Sequence, residues 1–297
     1  MNKYPSSFDK IRILPQSTRV ESRSQCDTST QLGSIELSVP LISAAMNSLF
    51  NYEFAFNLNA VGSLAVPPRN YVHYCQDIRV SSTGLATALE KAELAKNGIL
   101  FWEQANGYMR QIEPIIKELK SQFPSVFVVG GTVADYDGAK WLEDIGFDAI
   151  LLNIGVGEVC DTTTFTGVGL PAIASLMDIR NRGGLNIPLI LSGGVRSIGE
   201  AVISIALGAD IVMSGSLFKH CSDTKSGKTG IYYGEASEQN KGHKSHIEGK
   251  SIRVESNSET SIGVVNRFRD SLQSAMSYSD SFNLTEFRNK VKFVELQ

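Results

Sequence analysis

A cysteine sits in the segment Gly155-Val156-Gly157-Glu158-Val159-Cys160-Asp161-Thr162-Thr163-Thr164, with glycines on one side and hydroxyls on the other. A thiolate is an intrinsically strong nucleophile, and neighbouring threonine hydroxyls can relay protons to and from it. Glu158 and Asp161 flank the sulfur and would repel a thiolate, so that chemistry needs a compensating cation or donor. Two other segments, Ser192-Gly193-Gly194 and Ser214-Gly215-Ser216, carry glycines that let backbone N–H groups approach an anion. Their plainer reading is a pair of tight turns. Glu103 and Glu248 are further carboxylates in polar surroundings. His73, His220, His243 and His246 fit no metal-ligand spacing, and solvated histidine is the plainer explanation for the last three.

These residues need a scaffold, and short apolar runs supply one. Strand candidates are Leu41–Ala44, Ser63–Val66, Ile78–Ser81, Ile99–Trp102, Val126–Val129, Ala149–Asn153, Pro188–Leu191 and Ile211–Ser214. Between most of them lie stretches of 3.6-residue periodicity, such as Leu85–Ala95, Ile112–Leu119 and Ala134–Ile145. The strand starts are spaced by about 24 residues, which suits a strand, a loop and a helix per unit. Eight such units predict an α/β fold of the (β/α)8 TIM-barrel type, in which chemistry sits at the C-terminal strand ends. The glycine turns then follow the seventh and eighth strands, where such barrels commonly bind phosphate. An internal echo supports the reading: Gly146 and Gly208 each end a helical pattern just before a strand. No G-x-G-x-x-G follows the first strand, which argues against a doubly wound open sheet.

The chain of 297 residues is treated as one domain, 1–297. Residues 1–40 form a leading segment rich in Ser, Thr and Gln. Residues 222–262 lack a long apolar run and are read as a mobile polar lid, because a helical pattern resumes at Ile262–Met276. A hydrophobic content of 42% excludes disorder, and a net charge of −3 offers no broad footprint for nucleic acid or anionic membrane. Four scattered cysteines, no signal-peptide core and no membrane-length apolar run point to a reducing, cytoplasmic setting. The expected partner is a small molecule in a pocket.

The motifs together resemble the IMP dehydrogenase / GMP reductase family over nearly the whole chain. The resemblance rests on Ser22-Arg23-Ser24-Gln25-Cys26-Asp27, Pro40-Leu41-Ile42-Ser43-Ala44-Ala45-Met46-Asn47, Gln104-Ala105-Asn106-Gly107-Tyr108 and the Cys160 loop. It continues in Thr166-Gly167-Val168-Gly169, Ser192-Gly193-Gly194, Tyr233-Gly234-Glu235-Ala236-Ser237-Glu238 and Ile247-Glu248-Gly249-Lys250. It implies a cysteine that attacks C2 of a purine while hydride moves between that carbon and a nicotinamide, NADPH in the reductase branch. Cys160 then corresponds to the nucleophile, and Thr162 and Glu248 to the proton-transfer pair. Purine nucleotide contacts are implied for Met46, Asn47, Gly157, Glu158, Ser192, Gly193, Gly194, Gly215, Ser216, Gly234, Glu235, Ala236 and Gly249. Cofactor contacts are implied for Ser22, Arg23, Glu103, Gln104, Ala105, Ile154, Gly155, Ser274 and Ser277. A monovalent cation, K+, could be held by the Cys160 loop through carbonyls around Gly155 and Gly157, and a homo-tetramer is the implied assembly.

The reductase branch resembles this chain more closely. Dehydrogenases carry a regulatory domain between the second and third strands, where only residues 67–77 lie here. They also use an Arg-Tyr pair on the flap to activate water, whereas residues 222–262 hold a single arginine, Arg253, with no adjacent tyrosine. Three positions depart from the family: Glu158 replaces a serine beside the nucleotide 5′-phosphate, Ser192 an aspartate on the ribose, and Glu235 a methionine at the base. A carboxylate about 5 Å from a phosphate costs roughly 3 kcal/mol per charge pair at an effective dielectric near 20, about a hundredfold in affinity, unless Lys219 or a lid lysine compensates. The expectation is a GMP reductase-like enzyme whose substrate differs from GMP at the ribose or phosphate. IMP dehydrogenase-type oxidation and a non-catalytic purine-binding barrel stay open as alternatives.

Overall fold

The computed structural model describes residues 4–296, so the outermost ends of the leading segment and of the chain lie outside the described residues. Eight strands run parallel: Leu41–Ser43, Leu64–Ala65, Ile78–Thr83, Ile99–Glu103, Phe127–Val133, Ala149–Leu152, Leu189–Ser192 and Ile211–Ser214. The first pairs with both the second and the eighth, and the remaining ladders connect the eighth back to the third in sequence order. At the seam between the second and third strands, the Ser82 hydroxyl donates to the Pro67 carbonyl at 2.5 Å in place of a ladder. Every barrel strand falls where apolar runs predicted it, to within a few residues at the ends.

The barrel forms because each strand buries both faces. Side chains alternate: Ile42, Ile99, Phe101, Ala149, Leu151, Ile190, Ile211 and Met213 belong to one buried cluster, the barrel interior. Leu41, Leu100, Trp102, Ile150, Leu152, Leu191 and Val212 belong to a second, against the surrounding helices. Helix Tyr136–Ile145 shows the matching pattern on the outside, burying Gly138, Ala139, Leu142 and Ile145. Its end at Gly146 and the end of helix Ile198–Leu207 at Gly208 are both left-handed, as the echoed motif predicts.

Two regions carry more structure than their composition suggests. Within the leading segment, Ile11–Leu14 pairs antiparallel with Lys292–Glu295, joining the two ends of the chain. The hairpin Thr30–Leu32/Ile35–Leu37 inserts Leu32, Ile35 and Leu37, all fully buried, into the barrel's interior cluster. Its turn lies against Phe127, at the start of the fifth strand, so it plugs the end opposite the C-terminal strand ends. The 222–262 segment is likewise built rather than irregular: Ile231–Tyr233 and Ser251–Arg253 form an antiparallel ribbon, with short helices at Lys225–Thr229 and Glu238–Lys241. Backbone pairing, not apolar periodicity, organises it. Residues 67–77 hold only the strand Val72–Cys75, which turns tightly into the third barrel strand. No helix among the described residues is long and apolar enough to cross a membrane.

The plug yields a stability prediction. Ile35→Ala removes a fully buried side chain from the closed end of the barrel and should cost about 2–5 kcal/mol in urea unfolding. An unchanged midpoint would show that the hairpin is peripheral to the core.

Candidate active site

A cavity of about 590 Å³ opens at the C-terminal ends of the strands. The loop after the sixth strand enters it, and its path is fixed by backbone contacts to the 222–262 segment. Asp161 N–H donates to the Glu248 carbonyl at 2.8 Å, and Lys250 N–H to the Val159 carbonyl at 3.1 Å. This approach is close enough that a Cβ on Gly249 would lie 3.0 Å from Ser237 N and 3.2 Å from the Val159 carbonyl oxygen. Two distant segments are thereby joined side by side.

That junction aligns three side chains. The Cys160 thiol donates to Thr162 Oγ1 at 3.3 Å, and the Thr162 hydroxyl donates to Glu248 Oε2 at 2.8 Å. Cys160 is half-buried, whereas Cys26, Cys75 and Cys221 are buried and away from the cavity. Burial pushes the thiol of Cys75 up to about 11 and that of Cys221 to about 12, so both are poor nucleophiles. The carboxylates flanking Cys160 each meet a lysine: Glu158 pairs with Lys219, and Asp161 with Lys250 at 3.2 Å. The compensation demanded by the sequence is therefore present.

The glycine turns line the cavity as predicted, through Ser192, Gly193, Gly194, Gly215 and Ser216. Glu158 reaches between them, its Oε2 accepting from Ser216 Oγ at 2.9 Å. Burial works against its ionisation, yet the hydrogen bonds from Lys219 and Ser216 prevail and hold its carboxyl below the ordinary value. Ser192 donates to Met213 Sδ at 3.4 Å.

The opposite wall is also acidic. Glu235 accepts from Asn47 N–H at 2.7 Å and from the amides of Asn47 at 3.3 Å and Asn240 at 3.0 Å. Burial raises its pKa despite these donors. Glu103, at the end of the fourth strand, borders the cavity but is otherwise enclosed by protein. Burial pushes its carboxyl up to about 7, with Arg69 opposing and Glu235 adding to the shift.

Most implied site residues converge here: Met46, Asn47, Glu103, Gln104, Ala105, Gly155, Gly157, Gly234, Ala236 and Gly249 all line the cavity beside those already described. Five do not. Ile154 is buried in the loop, and Ser22, Arg23, Ser274 and Ser277 lie elsewhere, with Arg23 donating to Ser274 Oγ at 2.9 Å. The carbonyls proposed for a cation already accept hydrogen bonds, Gly155 from Thr163 Oγ1 at 3.2 Å and Gly157 from Cys160 N–H at 3.0 Å. Among the described residues no cluster of His, Cys, Asp and Glu could hold a metal ion. His73 is a buried partner of the Asn59 amide at 3.0 Å, away from the cavity.

Sequence reasoning missed Arg69, Thr83, Thr132, Asn153, Asn240 and Lys241 on the cavity wall. Thr83, Thr132 and Asn153 stand at or just beyond strand ends, and the rule locating barrel chemistry there would have found them. Asn153 is the most informative: it is buried, its φ is 108°, and neither polar atom of its amide has a partner among the described residues. Its left-handed backbone and unpaired buried amide set it apart from the other wall residues.

Known proteins resemble the chain along nearly its whole length. The IMP dehydrogenase / GMP reductase domain matches residues 5–83 and 83–297. The GMP reductase of Helicobacter pylori is 31% identical over 313 residues, covering 97% of this chain and 94% of its own length. That of Acidovorax sp. is 31% identical, covering 97% and 95%, and that of Bacillus subtilis 30% identical, covering 95% and 93%.

The raised Glu103 gives a pH prediction. Its unfolded carboxyl titrates near 4.5 and its folded one near 7, so the folded state holds the extra proton between these values. The stability it contributes is full below pH 4.5 and lost as pH rises to about 7. Across that window Glu103→Gln should show a smaller decline in urea midpoint than the parent protein; parallel profiles would refute the assignment.

Proposed function

Because the chain belongs to the IMP dehydrogenase / GMP reductase family, we propose that it is a reductase that removes the 2-amino group of a guanine-type purine through Cys160. The observation that carries this reading is the unbroken hydrogen-bond chain from Cys160 Sγ through Thr162 to Glu248.

The chain of donors can supply both proton transfers of the deamination half of the reaction. Passing the thiol proton through Thr162 Oγ1 to the Glu248 carboxylate leaves a thiolate, which adds to C2 and makes that carbon tetrahedral. The same proton returns through Thr162 to the amino nitrogen, which departs as ammonia and leaves a thioimidate on Cys160. NADPH, when bound, supplies the hydride that reduces C2. Expulsion of the sulfur then releases Cys160 as a thiolate, which takes up one proton from solvent to restore the thiol. The residues present fit such a cofactor: Glu103, Gln104, Ala105 and Gly155 line the cavity beside Asn153, whose unpaired amide can meet a carboxamide. Glu103 presents a carboxyl near its titration point, and Arg69, donating to its carbonyl at 2.8 Å, fixes that strand end.

Reduction is favoured over oxidation by the lid. Arg253, its single arginine, is exposed on the ribbon and does not line the cavity, so nothing there corresponds to the dehydrogenases' water-activating pair. The absence of a domain between the second and third strands supports the same branch.

Turnover read by NADPH absorbance tests the assignment. Cys160→Ala should abolish purine-dependent oxidation of NADPH, while Thr162→Val and Glu248→Gln should each lower kcat by about 10²–10⁴-fold. Equal rates in the parent protein and Cys160→Ala would remove the covalent route.

A further inference from the structure

We infer that this site takes its purine as a nucleoside with a free 5′-hydroxyl, and that Glu158 is the residue that selects it over the 5′-phosphate. The inference rests on the reading that Cys160 attacks purine C2 and extends it to the other end of the substrate.

In a (β/α)8 barrel the loops after the seventh and eighth strands form the usual phosphate cradle. Here Gly193, Gly194, Gly215 and Ser216 supply such a cradle, but a negative charge of the chain itself already reaches it. Glu158 Oε2 takes the Ser216 hydroxyl at 2.9 Å, and Oε1 takes the ammonium of Lys219. Both partners are largely shielded, with side chains 25% and 15% exposed, so the pair is screened less than a surface ion pair. A hydroxyl and a cation that could have bound a phosphate are thus committed to a carboxylate.

Two further lysines near the site are engaged as well. Lys250 pairs with Asp161, and Lys241 on the cavity wall donates to the His246 carbonyl at 2.7 Å. Arg196 adds attraction that favours the ionised form of Glu158. A phosphate entering the cradle would have to compete with Glu158 for Lys219 and Ser216; an uncompensated like charge would cost about a hundredfold in affinity per charge pair, and the pairing with Lys219 offsets part of that. A hydroxyl meets the opposite situation, because each Glu158 oxygen keeps acceptor capacity beyond the one bond it makes. Ser192 makes the same end of the site less anionic towards the sugar, offering one hydroxyl, already donating to Met213, rather than a carboxylate.

Calorimetric titration with guanosine, 2′-deoxyguanosine and GMP, paired with NADPH oxidation on each, tests this on the full chain. The parent protein should bind guanosine or its deoxy form at least tenfold more tightly than GMP, with the same order in kcat/KM. Glu158→Ser, which frees Lys219, should raise GMP affinity at least tenfold and weaken nucleoside binding. Glu158→Gln, close in shape, should give an intermediate shift and keeps the test valid if the serine variant is unstable. Tighter binding of GMP by the parent protein, or an equal loss for all ligands in both variants, overturns the inference alone. Ligand binding with no NADPH oxidation for any purine overturns instead the reductase reading, and with it the placement of the substrate.

Discussion

The contact between the Thr162 hydroxyl and the Glu248 carboxylate, 2.8 Å long, joins residues 86 apart in the chain, and the proposed chemistry depends on it. Thr162 meets Cys160 within one loop, but Glu248 joins them only where that loop and the polar segment after the eighth strand lie in backbone contact. Small residues permit that contact: a side chain on Gly249 would meet both the Ser237 backbone and the Val159 carbonyl. The barrel supplies a rigid rim for the sulfur, and the ribbon brings the carboxylate to it. Proton transfer between them follows from the packing of two backbones.

Charge is the second constraint. Glu103, Glu158, Glu235 and Glu248 all border one cavity, and four carboxylates cannot ionise freely in so small a space. The protein treats them differently. Glu158 is stabilised as an anion by Lys219 and Ser216, whereas Glu103 and Glu235 are pushed by burial towards the protonated form. The result is a graded site: a fixed negative charge at the cradle, a proton acceptor at the sulfur, and titratable acids on the remaining wall. The proposed nucleoside substrate suits a cradle whose hydroxyl and lysine are already committed to Glu158.

The barrel was legible because its strands are buried on both faces, so runs such as Ala149–Leu152 and Ile211–Ser214 stand out by composition and recur at even spacing. The juxtaposition of Cys160, Thr162 and Glu248 was legible through motif resemblance, and the need for a cation beside Glu158 through charge alone. Other features were hidden for physical reasons. The pairing of Ile11–Leu14 with Lys292–Glu295 links opposite ends of the chain, which local periodicity cannot report. The plug hairpin has only three residues per strand, and its buried Leu32, Ile35 and Leu37 lie among polar neighbours. The ribbon of the 222–262 segment is organised by hydrogen bonds to another loop. Asn153 stands at the end of a strand candidate, but its backbone angle and unpaired amide are seen only in the structure.

The central claim is that a bond forms between the Cys160 sulfur and a purine carbon. Intact-mass spectrometry with peptide mapping, after acid quenching of the protein mixed with guanosine or GMP without reduced nicotinamide, addresses it directly. The account predicts a purine adduct on the peptide containing Cys160, with matching release of ammonia and strong suppression in Glu248→Gln. Turnover that proceeds with no adduct and no ammonia released before the reductant is added would contradict it.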